Sequence, residues 1–278
     1  MEINKGTVAV ITGAGSGIGR ALACAFAKRG AAVALSDINA AGLNETAKLA
    51  SQFGGEVSTH LLDVSDKEAM HSFADEVVSR HGHATVLINN AGVGILGNTE
   101  ELSIDDYEWL IGINFWGVLY GTKLFLPHLR KESEAYIVNI SSIFGIIAPS
   151  GQSAYCAAKF AVRGFTEALR HEMEADETSN VHVAVVHPGG IKTNIAAQSR
   201  LGSYANKENF QDIASRFDKA APTSPEKAAE TIINGINRNA RRIMIGPDSR
   251  ILAMIQRMMP VSYWNLLGPV FERRLGKV

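Results

Sequence analysis

A tyrosine and a lysine four residues apart, Tyr155 and Lys159, are the side chains of this 278-residue chain best suited to proton transfer. If their segment is helical, positions i and i+4 share one face, and the ammonium would stand close to the phenol. A neighbouring cation favours the phenolate and lowers the tyrosine pKa from its ordinary value of about 10. Such a phenol can exchange a proton with a substrate oxygen near neutral pH. The pair alone is a weak signal, because these residues are also common on solvated helix faces.

A glycine-rich segment near the start of the chain supplies a second chemical signal. Residues 13–19 read Gly-Ala-Gly-Ser-Gly-Ile-Gly, between the apolar, β-branched run 7–12 and the alanine-rich run 20–27. Glycines between a strand and a helix permit a tight turn and close approach of the backbone to a pyrophosphate. The helix N-terminus adds free N–H groups and a positive dipole. The order of strand, loop and helix therefore predicts a dinucleotide site rather than a plain turn.

An acidic residue at the end of the second predicted strand bears on which dinucleotide binds. Asp37 directly follows the apolar run 32–36, about 20 residues beyond the glycine loop, where a carboxylate hydrogen-bonds the adenosine ribose. Its charge would repel a 2′-phosphate, and neither Ile38 nor Ser16 offers a cation. Arg20 is interpreted as a helix-surface residue. We therefore predict NAD(H) over NADP(H), with one alternative, that Asp37 only caps the following helix.

Together these motifs resemble the short-chain dehydrogenase/reductase family, in its single-domain oxidoreductase branch, over residues 5–246. The resemblance assigns residues 12–19 to the cofactor loop, 89–92 to the fourth-strand motif and 188–193 to the segment that holds the nicotinamide carboxamide. It implies catalytic roles for Asn114, Ser142, Tyr155 and Lys159. It implies cofactor contacts for Gly13, Ser16, Gly17, Ile18, Gly19, Asp37, Asp63, Val64, Asn90, Ala91, Gly92, Tyr155, Lys159, Pro188, Gly189, Ile191 and Thr193.

The resemblance also implies a reaction, reversible hydride transfer between a nicotinamide cofactor and an alcohol or ketone. The apolar residues that follow the strand ends, Val93, Ile95, Ile143 and Phe144, favour a hydrophobic secondary alcohol or ketone as the substrate. Tyr155 would be the general acid or base, and Lys159 would lower its pKa and hydrogen-bond the nicotinamide ribose. Ser142 would orient the substrate oxygen, with Ser141 as its rival, and Asn114 would support a water chain to solvent. Dehydration or epimerisation on the same scaffold, and a non-catalytic dinucleotide sensor, remain as alternatives.

Strand-like and helical runs alternate along the chain, which predicts one α/β domain over residues 1–278. The expected architecture is a Rossmann-type, doubly wound parallel sheet of about seven strands with helices on both faces. Strands are predicted near 7–12, 32–36, 56–62, 85–88, 136–140, 181–186 and 242–245, and helices near 40–52, 66–81, 103–130, 153–175 and 225–238. Every motif falls at a strand's carboxyl end or on the next helix, where such sheets bind ligands.

Residues 190–222 form a long excursion beside the predicted site and are interpreted as a substrate lid. The lid carries the apolar residues Ile195, Leu201, Tyr204, Phe210 and Phe217 among polar ones. The predicted substrate contacts are Ser142, Ile143, Phe144, Tyr155 and Tyr204. The alternative is a surface excursion whose aromatic residues pack on the core.

The C-terminal extension, residues 250–278, is apolar, rich in methionine and aromatic residues, and flanked by arginines. Pro260 divides it into two short amphipathic pieces. Packing within the protein is the favoured interpretation. Docking on a neighbouring subunit, covering the substrate mouth and lying in a membrane interface remain open.

Bulk properties exclude several other classes of protein. A formal net charge of −1 gives no global electrostatic case for nucleic acid or an anionic membrane. Cys24 and Cys156 lack metal-ligand spacing, the histidines do not cluster, and no metal is predicted. With no leader and no run of about 18 apolar residues, a cytoplasmic protein is expected. The resemblance implies a homo-oligomer, a tetramer or dimer, formed through the long helices; Trp109, Phe115, Trp116 and Phe165 would suit that face.

Overall fold

A parallel sheet of seven strands forms the centre of the computed structural model, which describes residues 1–195, 197–205 and 221–275. Its strands are β1 (Val8–Thr12), β2 (Ala32–Asp37), β3 (Val57–Leu61), β4 (Val86–Asn89), β6 (Ala135–Ile140), β7 (Val181–Pro188) and β9 (Arg242–Ile245). Their spatial order is β3-β2-β1-β4-β6-β7-β9, so the winding reverses between β1 and β4. At such a switch point the loops diverge and leave a crevice at the carboxyl ends of the strands. The predicted fold class and strand set are confirmed.

Helices cover both faces of the sheet and explain why its strands are apolar on both sides. The helices are α1 (Gly17–Lys28), α2 (Ala40–Ser51), α3 (Lys67–His81), α4 (Ile104–Ile111), α5 (Gly117–Leu129), α6 (Ser153–Ala175), α7 (Pro225–Asn237), α8 (Pro247–Met258) and α9 (Tyr263–Leu275). Along β1, Ile11 packs in the cluster that includes Leu22 of α1 and Ile232 of α7. Its neighbour Val10 packs in the opposite cluster, with Phe73 of α3 and Phe125 of α5. The sheet is thus held between two separate cores.

The helix predicted over 103–130 is interrupted in the structure. Between α4 and α5 the residues Gly112–Trp116 form a π-helical turn. A π turn adds a residue to the hydrogen-bonded ring, which rotates the following face and commonly marks a functional site. Asn114 lies in this turn and is fully buried. The π-helical turn therefore determines where the Asn114 side chain, a predicted catalytic group, points.

The combined run Ile104–Leu129 is long and apolar enough to cross a membrane by length and composition alone. This differs from the sequence expectation that no stretch would qualify. The core helix of a folded domain can meet the same criterion, and here α5 contributes to the core, with Phe125 edge-on to Phe73 at 5.7 Å between ring centres.

A second, two-stranded sheet was not predicted. β5 (Ile95–Leu96) pairs in parallel with β8 (Arg200–Leu201), joining the loop after β4 to the lid segment. The lid is also tied to α4, because Ser203 N donates to Asp106 Oδ2 at 3.0 Å and the Arg200 guanidinium lies 3.7 Å from the Trp109 ring centre. The described part of the lid is thereby folded across the carboxyl ends of the strands. The predicted lid residues Phe210 and Phe217 lie outside the described residues.

The C-terminal extension forms the helices α8 and α9, separated near Pro260 as the sequence indicates. One face of this pair packs on Ile143, Ile146 and Ile147, which follow β6. The Tyr263 hydroxyl accepts a hydrogen bond from Ala148 N at 2.9 Å. The extension therefore lies beside the crevice rather than trailing away from the domain.

Candidate active site

A cavity of about 1010 Å³ runs along the carboxyl ends of β1, β2, β4, β6 and β7. It is lined by nearly all of the residues that the sequence assigns to a site. Those lining it are Gly13, Ser16, Gly17, Ile18, Asp37, Asp63, Val64, Asn90, Ala91, Gly92, Ser142, Ile143, Phe144, Tyr155, Lys159, Pro188, Gly189, Ile191 and Thr193. Three predicted residues, Gly19, Asn114 and Tyr204, do not line it, and each has a specific structural reason.

The glycine loop is built for close approach to a phosphate. Gly13 and Gly17 have φ angles of +63° and +52°, in the left-handed region that favours glycine. A Cβ on Gly19 would lie 2.1 Å from Gly13 O, so this glycine lets α1 begin directly against β1. In the described part of the chain, the N-cap residue Ser16 makes no side-chain capping bond. The first-turn N–H groups therefore lack a side-chain cap, which leaves them open to an anion.

Thr12 and Asn90 lock the first and fourth strand ends together. The Thr12 hydroxyl accepts hydrogen bonds from the backbone N–H groups of Asn90 and Ala91, both at 3.0 Å. The Asn90 amide donates to Thr12 O at 2.9 Å and to Gly13 O at 3.0 Å. Asn90 thus shapes the glycine loop from behind. The sequence motif identified Asn90, but it did not predict that the Asn90 side chain would hydrogen-bond the backbone of the glycine loop.

Asp37 directs its carboxylate at the glycine loop. Its Oδ2 accepts a hydrogen bond from Gly15 N at 2.8 Å, and its Oδ1 accepts one from Asn39 N at 2.8 Å. The N-cap of α2 is Asn39, whose side chain accepts from Gly42 N. The alternative that Asp37 only caps this helix is therefore excluded by the structure.

The sequence analysis interpreted Arg20 as a helix-surface residue. In the structure its side chain is instead engaged by three neighbouring groups. Its guanidinium donates to Gly15 O at 2.6 Å and to Thr46 Oγ1 at 3.0 Å, and it pairs with Glu45 at 2.8 Å. These contacts join α1, the glycine loop and α2. Arg20 consequently stabilises the wall behind the cavity.

The predicted catalytic side chains converge from two elements. Tyr155 and Lys159 lie one turn apart on α6, and Ser142 follows β6. The Lys159 Nζ donates to Ile140 O at 3.0 Å and lies 5.6 Å from the centre of the Tyr155 ring. Phe144 stands edge-on to Tyr155, 6.2 Å between ring centres, and forms an apolar wall. The spacing of Tyr155 and Lys159 on one helix face is as the sequence predicts.

The protonation of this pair differs from the sequence expectation. Burial raises the pKa of Tyr155 to about 12, against a smaller lowering by its hydrogen bond with Ser142. Burial lowers the pKa of Lys159 to about 8. Removal from water disfavours the charged form of each group, and the ammonium contacts the tyrosine ring and a carbonyl rather than the hydroxyl. Tyr155 is therefore neutral at physiological pH, and the lysine beside it is partly deprotonated.

Asn114 stands behind the cavity wall, where its amide is hydrogen-bonded to the loop that follows β4. Its Oδ1 accepts from Val93 N at 2.8 Å, and its Nδ2 donates to Val93 O at 2.9 Å. Gly92 has no side chain between these groups; a Cβ there would lie 3.2 Å from Asn114 Oδ1 and 3.4 Å from Lys159 Nζ. Asn114 thus fixes the loop that follows β4. The support of a water chain that the resemblance implies for Asn114 stays a prediction.

Ser141 and Ser142 have different partners. The Ser141 hydroxyl donates to Lys159 O at 2.8 Å and joins β6 to α6. The Ser142 hydroxyl accepts from Phe144 N at 3.1 Å, and Ser142 is the neighbour that lowers the pKa of Tyr155. This arrangement favours Ser142 as the residue that meets a substrate oxygen.

His187 is a site residue that sequence reasoning missed. It is fully buried, and its Nδ1 lies 2.8 Å from Ser142 O, so the ring donates to the carbonyl of that serine. Burial lowers the pKa of His187 to about 4, which keeps the ring neutral above that pH. His187 therefore positions Ser142. The available signal was a histidine between the apolar, buried run 183–186 and Pro188.

The C-terminal extension also contributes residues that the sequence did not assign to the site. Gly190 N donates to Asp248 Oδ2 at 2.6 Å, which ties the segment after β7 to the start of α8. The apolar side chains of the extension that line the cavity are Ile251, Leu252, Ile255, Trp264, Leu267, Val270 and Phe271. Their periodic spacing was visible in the sequence, but not which surface they would meet.

Tyr204 does not reach the cavity. Its side chain is 73 % exposed, and its backbone N–H donates to Glu101 O at 3.0 Å. Pairing of β8 with β5 turns this part of the lid toward α4, away from Tyr155. The structure therefore places Tyr204 outside the lining of the cavity that holds the other predicted substrate contacts.

Comparison with known proteins agrees with this architecture. The short chain dehydrogenase family model matches residues 7–203. The SadH protein of Mycobacterium tuberculosis is 47 % identical over 269 residues, covering 96 % of each chain. A short-chain dehydrogenase/reductase from Burkholderia phymatum, solved with NAD, is 29 % identical with a TM-score of 0.85, over 93 % of this chain and 95 % of its own. An alcohol dehydrogenase from Thermococcus sibiricus, solved with 5-hydroxy-NADP, is 27 % identical with a TM-score of 0.73, over 86 % and 95 %.

The buried charge of Lys159 predicts a pH-dependent gain in stability when the residue is replaced. The lowered pKa means that, between pH 8 and 10.5, the unfolded chain binds a proton that the folded chain does not. Native stability should therefore rise with pH across that window. Lys159→Met removes this cost, on the order of 3 kcal/mol below pH 8. We expect the variant to be more stable than the parent at pH 7 and the difference to shrink toward pH 10.5.

Urea unfolding at several pH values measures this difference, with the exposed Lys123→Met as the matched control. The control should show no such pH dependence. A Lys159→Met difference that stays constant from pH 7 to pH 10.5 would contradict a depressed lysine pKa. Tyr155 is present in both proteins, so its own titration largely cancels in the comparison.

Proposed function

Because the chain belongs to the short-chain dehydrogenase/reductase family of oxidoreductases, we propose that it transfers hydride reversibly between NAD(H) and a hydrophobic secondary alcohol or ketone. The observation that carries the proposal is the convergence of Ser142, Tyr155 and Lys159 in one apolar-walled cavity that continues into the glycine loop. Proton-transfer groups and a phosphate-binding turn at one sheet edge suit a nicotinamide-dependent reaction.

The chain offers a site for each part of a dinucleotide. The glycine loop and the α1 N-terminus suit the pyrophosphate, Asp37 the adenosine ribose, and Asp63 with Val64 the adenine. The segment from Pro188 to Thr193 lies at the nicotinamide end. When bound, the nicotinamide supplies or accepts the hydride; the protein supplies position and proton transfer.

In this proposal Tyr155 donates and accepts the transferred proton. In the direction of ketone reduction, the neutral phenol donates its proton to the carbonyl oxygen as the carbonyl carbon accepts a hydride. The Lys159 ammonium stabilises the phenolate that remains, because an opposite charge nearby favours the ionised form. Ser142 donates a hydrogen bond to the same substrate oxygen and orients it, while His187 and the Phe144 N–H hold the serine in place. The reverse sequence oxidises the alcohol.

The preference for NAD(H) rests on the charge around the end of β2. The Asp37 carboxylate is fixed there by the N–H groups of Gly15 and Asn39. Arg20, the nearest cation in sequence, is engaged by Gly15 O, Thr46 and Glu45. A 2′-phosphate would therefore meet a negative charge and an arginine already neutralised.

The hydrophobic substrate class rests on the cavity walls beyond Tyr155. Ile143 and Phe144 form one side, and the α8 and α9 side chains Leu252, Trp264 and Phe271 form another. These apolar surfaces favour a bulky, uncharged substituent on the carbinol carbon. The lid tied to α4 closes a further side of the cavity and is proposed to contribute to substrate selection.

A homo-oligomer formed through α5 and α6 is also proposed. Trp116 and Phe160 on this region are 44 % and 39 % exposed. Trp109 is covered by Arg200, and Phe115 packs on Phe165 with 6.4 Å between ring centres, so these aromatic residues already have partners within the chain. The aromatic surface available for a contact between subunits is therefore smaller than the sequence analysis suggested with its four aromatic residues.

Replacement of Tyr155 by phenylalanine tests the reaction. Tyr155→Phe keeps the ring and removes the transferable proton, so turnover should fall by about 10²–10⁴ or more. NADH oxidation with hydrophobic ketones of graded size measures turnover, and tryptophan fluorescence measures retained NADH binding. The exposed Tyr204→Phe is the matched control and should act as the parent. Near-normal turnover by Tyr155→Phe would refute the role, and NADH binding without turnover by the parent on any ketone would favour a sensor.

Separate alanine variants distinguish the two neighbouring serines. Ser142→Ala removes the group beside the reacting oxygen and should lower kcat/KM by at least about tenfold, the equivalent of one charge-assisted hydrogen bond. Ser141→Ala removes a bond to the α6 backbone and should cost about 1 kcal/mol of stability with little loss of turnover. Steady-state kinetics and urea unfolding of both variants separate the effects. The opposite pattern would reassign the catalytic role to Ser141.

Replacement of Asp37 tests the cofactor preference. Asp37→Ser removes the charge that repels a 2′-phosphate and should shift the NADH-to-NADPH ratio of kcat/KM by at least about tenfold toward NADPH. Asp75→Ser, the same change at an exposed carboxylate of α3 outside the cavity lining, is the matched control. A parent enzyme that uses NADPH better than NADH would contradict the assignment.

A further inference from the structure

The C-terminal helices α8 and α9 have a second apolar face that packing does not explain. Exposed large apolar side chains concentrate between residues 251 and 270. In that stretch the exposed fractions are 58 % for Ile251, 63 % for Met254, 76 % for Met258, 93 % for Val261 and 52 % for Leu266. We call these five residues, with Arg250 and Arg257, the tail surface. The inner face of the same helices is used by Ile143, Ile146 and Ile147, so the tail surface is a distinct face that points to solvent.

The charge on the tail surface has one sign along α8. Arg250, Met254, Arg257 and Met258 recur at helical spacing on its exposed side. Asp248 does not belong to this face, since its carboxylate accepts a hydrogen bond from Gly190 N. Among the described residues, neither Arg250 nor Arg257 forms an ion pair with an acidic side chain. The surface therefore combines exposed methionines with cations that are free to meet an anionic partner.

This composition fits the interface of an anionic bilayer better than a second copy of the chain. In an interfacial helix, apolar side chains enter the acyl boundary while arginine stems snorkel their charged heads to the lipid headgroups. A symmetric contact between two copies would place the same patch against itself and bring the arginines of both copies together. A net charge of −1 for the whole chain does not oppose bilayer docking, because the attraction is local and falls off within a Debye length.

The tail surface is continuous with the cavity. Ile251 and Val270 are exposed, yet both line the cavity that contains Tyr155. Behind them, Leu252, Ile255 and Trp264 extend the apolar wall inward. An apolar molecule could pass along these side chains from an acyl layer to Tyr155 without full exposure to water.

We propose that the tail surface docks the protein on an anionic phospholipid bilayer and that its hydrophobic substrate enters the cavity from that side. The docking step is independent of the reaction; the entry route rests on the proposed function. The acidic residue Glu272 lines the cavity next to Arg273 in sequence and is not part of the tail surface.

Vesicle co-sedimentation of the full chain tests the docking step without measuring activity. We expect the protein to sediment with vesicles of phosphatidylcholine and phosphatidylglycerol, and weakly or not at all with phosphatidylcholine alone. The double variant Met254→Glu, Met258→Glu should lose this binding. Leu61→Glu, a matched change at a 70 % exposed position of the β3 edge, should keep it. Recovery of the parent in the supernatant with anionic vesicles, or equal loss in the Leu61 control, would overturn the proposal.

A charge variant and a mass measurement complete the test. Arg250→Gln with Arg257→Gln should weaken binding to anionic vesicles by about tenfold or more, since each basic residue near the surface contributes about 1 kcal/mol. Arg238→Gln, an exposed arginine after α7 and before β9, should have no effect. Sedimentation velocity should give the same mass for the parent and the methionine variant. A lower mass for that variant would show a contact between copies and overturn the proposal.

Activity separates failure of docking from failure of the proposed reaction. Met254 and Met258 do not line the cavity, so their double variant should reduce a water-soluble ketone at the parent rate. With a long-chain ketone held in anionic vesicles, its rate should fall by about the loss in vesicle binding. Loss of vesicle binding with unchanged rates on the vesicle-held ketone would overturn the entry route. A parent that binds vesicles but reduces neither ketone would refute the proposed function while leaving the docking intact.

Discussion

A buried chain of hydrogen bonds across the sheet fixes the helix that carries Tyr155. The Asn89 amide donates to Asn139 Oδ1 at 2.8 Å, and the Asn139 amide donates to Thr166 Oγ1 of α6 at 3.0 Å. Asn89 also donates to Thr122 of α5 at 3.1 Å, so both long helices are held by the neighbouring strands β4 and β6. An apolar interface could slide by a fraction of a turn at little cost, whereas buried amides left without partners are expensive. The positions of Tyr155 and Ser142 relative to each other depend on this network.

The burial that fixes the positions of these side chains also lowers the stability of the folded protein, because it removes ionisable groups from water. Lys159 and His187 are both held where burial lowers their pKa values, and Tyr155 where burial raises it. Lys159 and His187 each keep a hydrogen bond to a backbone carbonyl that limits this loss of stability. A low-dielectric site disfavours separated charges in the resting protein, and for that reason it strengthens the attraction between a phenolate and an ammonium when they form. The cost in stability and the capacity for proton transfer thus have one physical origin.

The sequence predicted the site residues that lie at strand ends. It did not predict the features that depend on contacts between segments far apart in the chain. The glycine loop, Asp37, Ser142, Tyr155 and Lys159 are specified by local patterns, because parallel strands bring their carboxyl ends to one edge regardless of detail. The turn at Gly112–Trp116, the β5–β8 pair and the exposure of Tyr204 are not local properties. The lowered tyrosine pKa expected from helix spacing was wrong for the protein alone, because spacing reports the neighbouring charge but not the desolvation that outweighs it.

The C-terminal extension shows why an apolar pattern alone could not settle its role. The amphipathic period of α8 and α9 identifies a face for burial, and the cluster with Ile143, Ile146 and Ile147 accounts for that face. It does not account for Met254, Met258 and Val261, which remain exposed although leaving large apolar side chains in water opposes solubility. A helix pair that is apolar on both sides suits a position between two apolar environments. One of these is the wall of the cavity beside Tyr155, and the arginines at the rim of the other indicate an environment whose boundary is anionic.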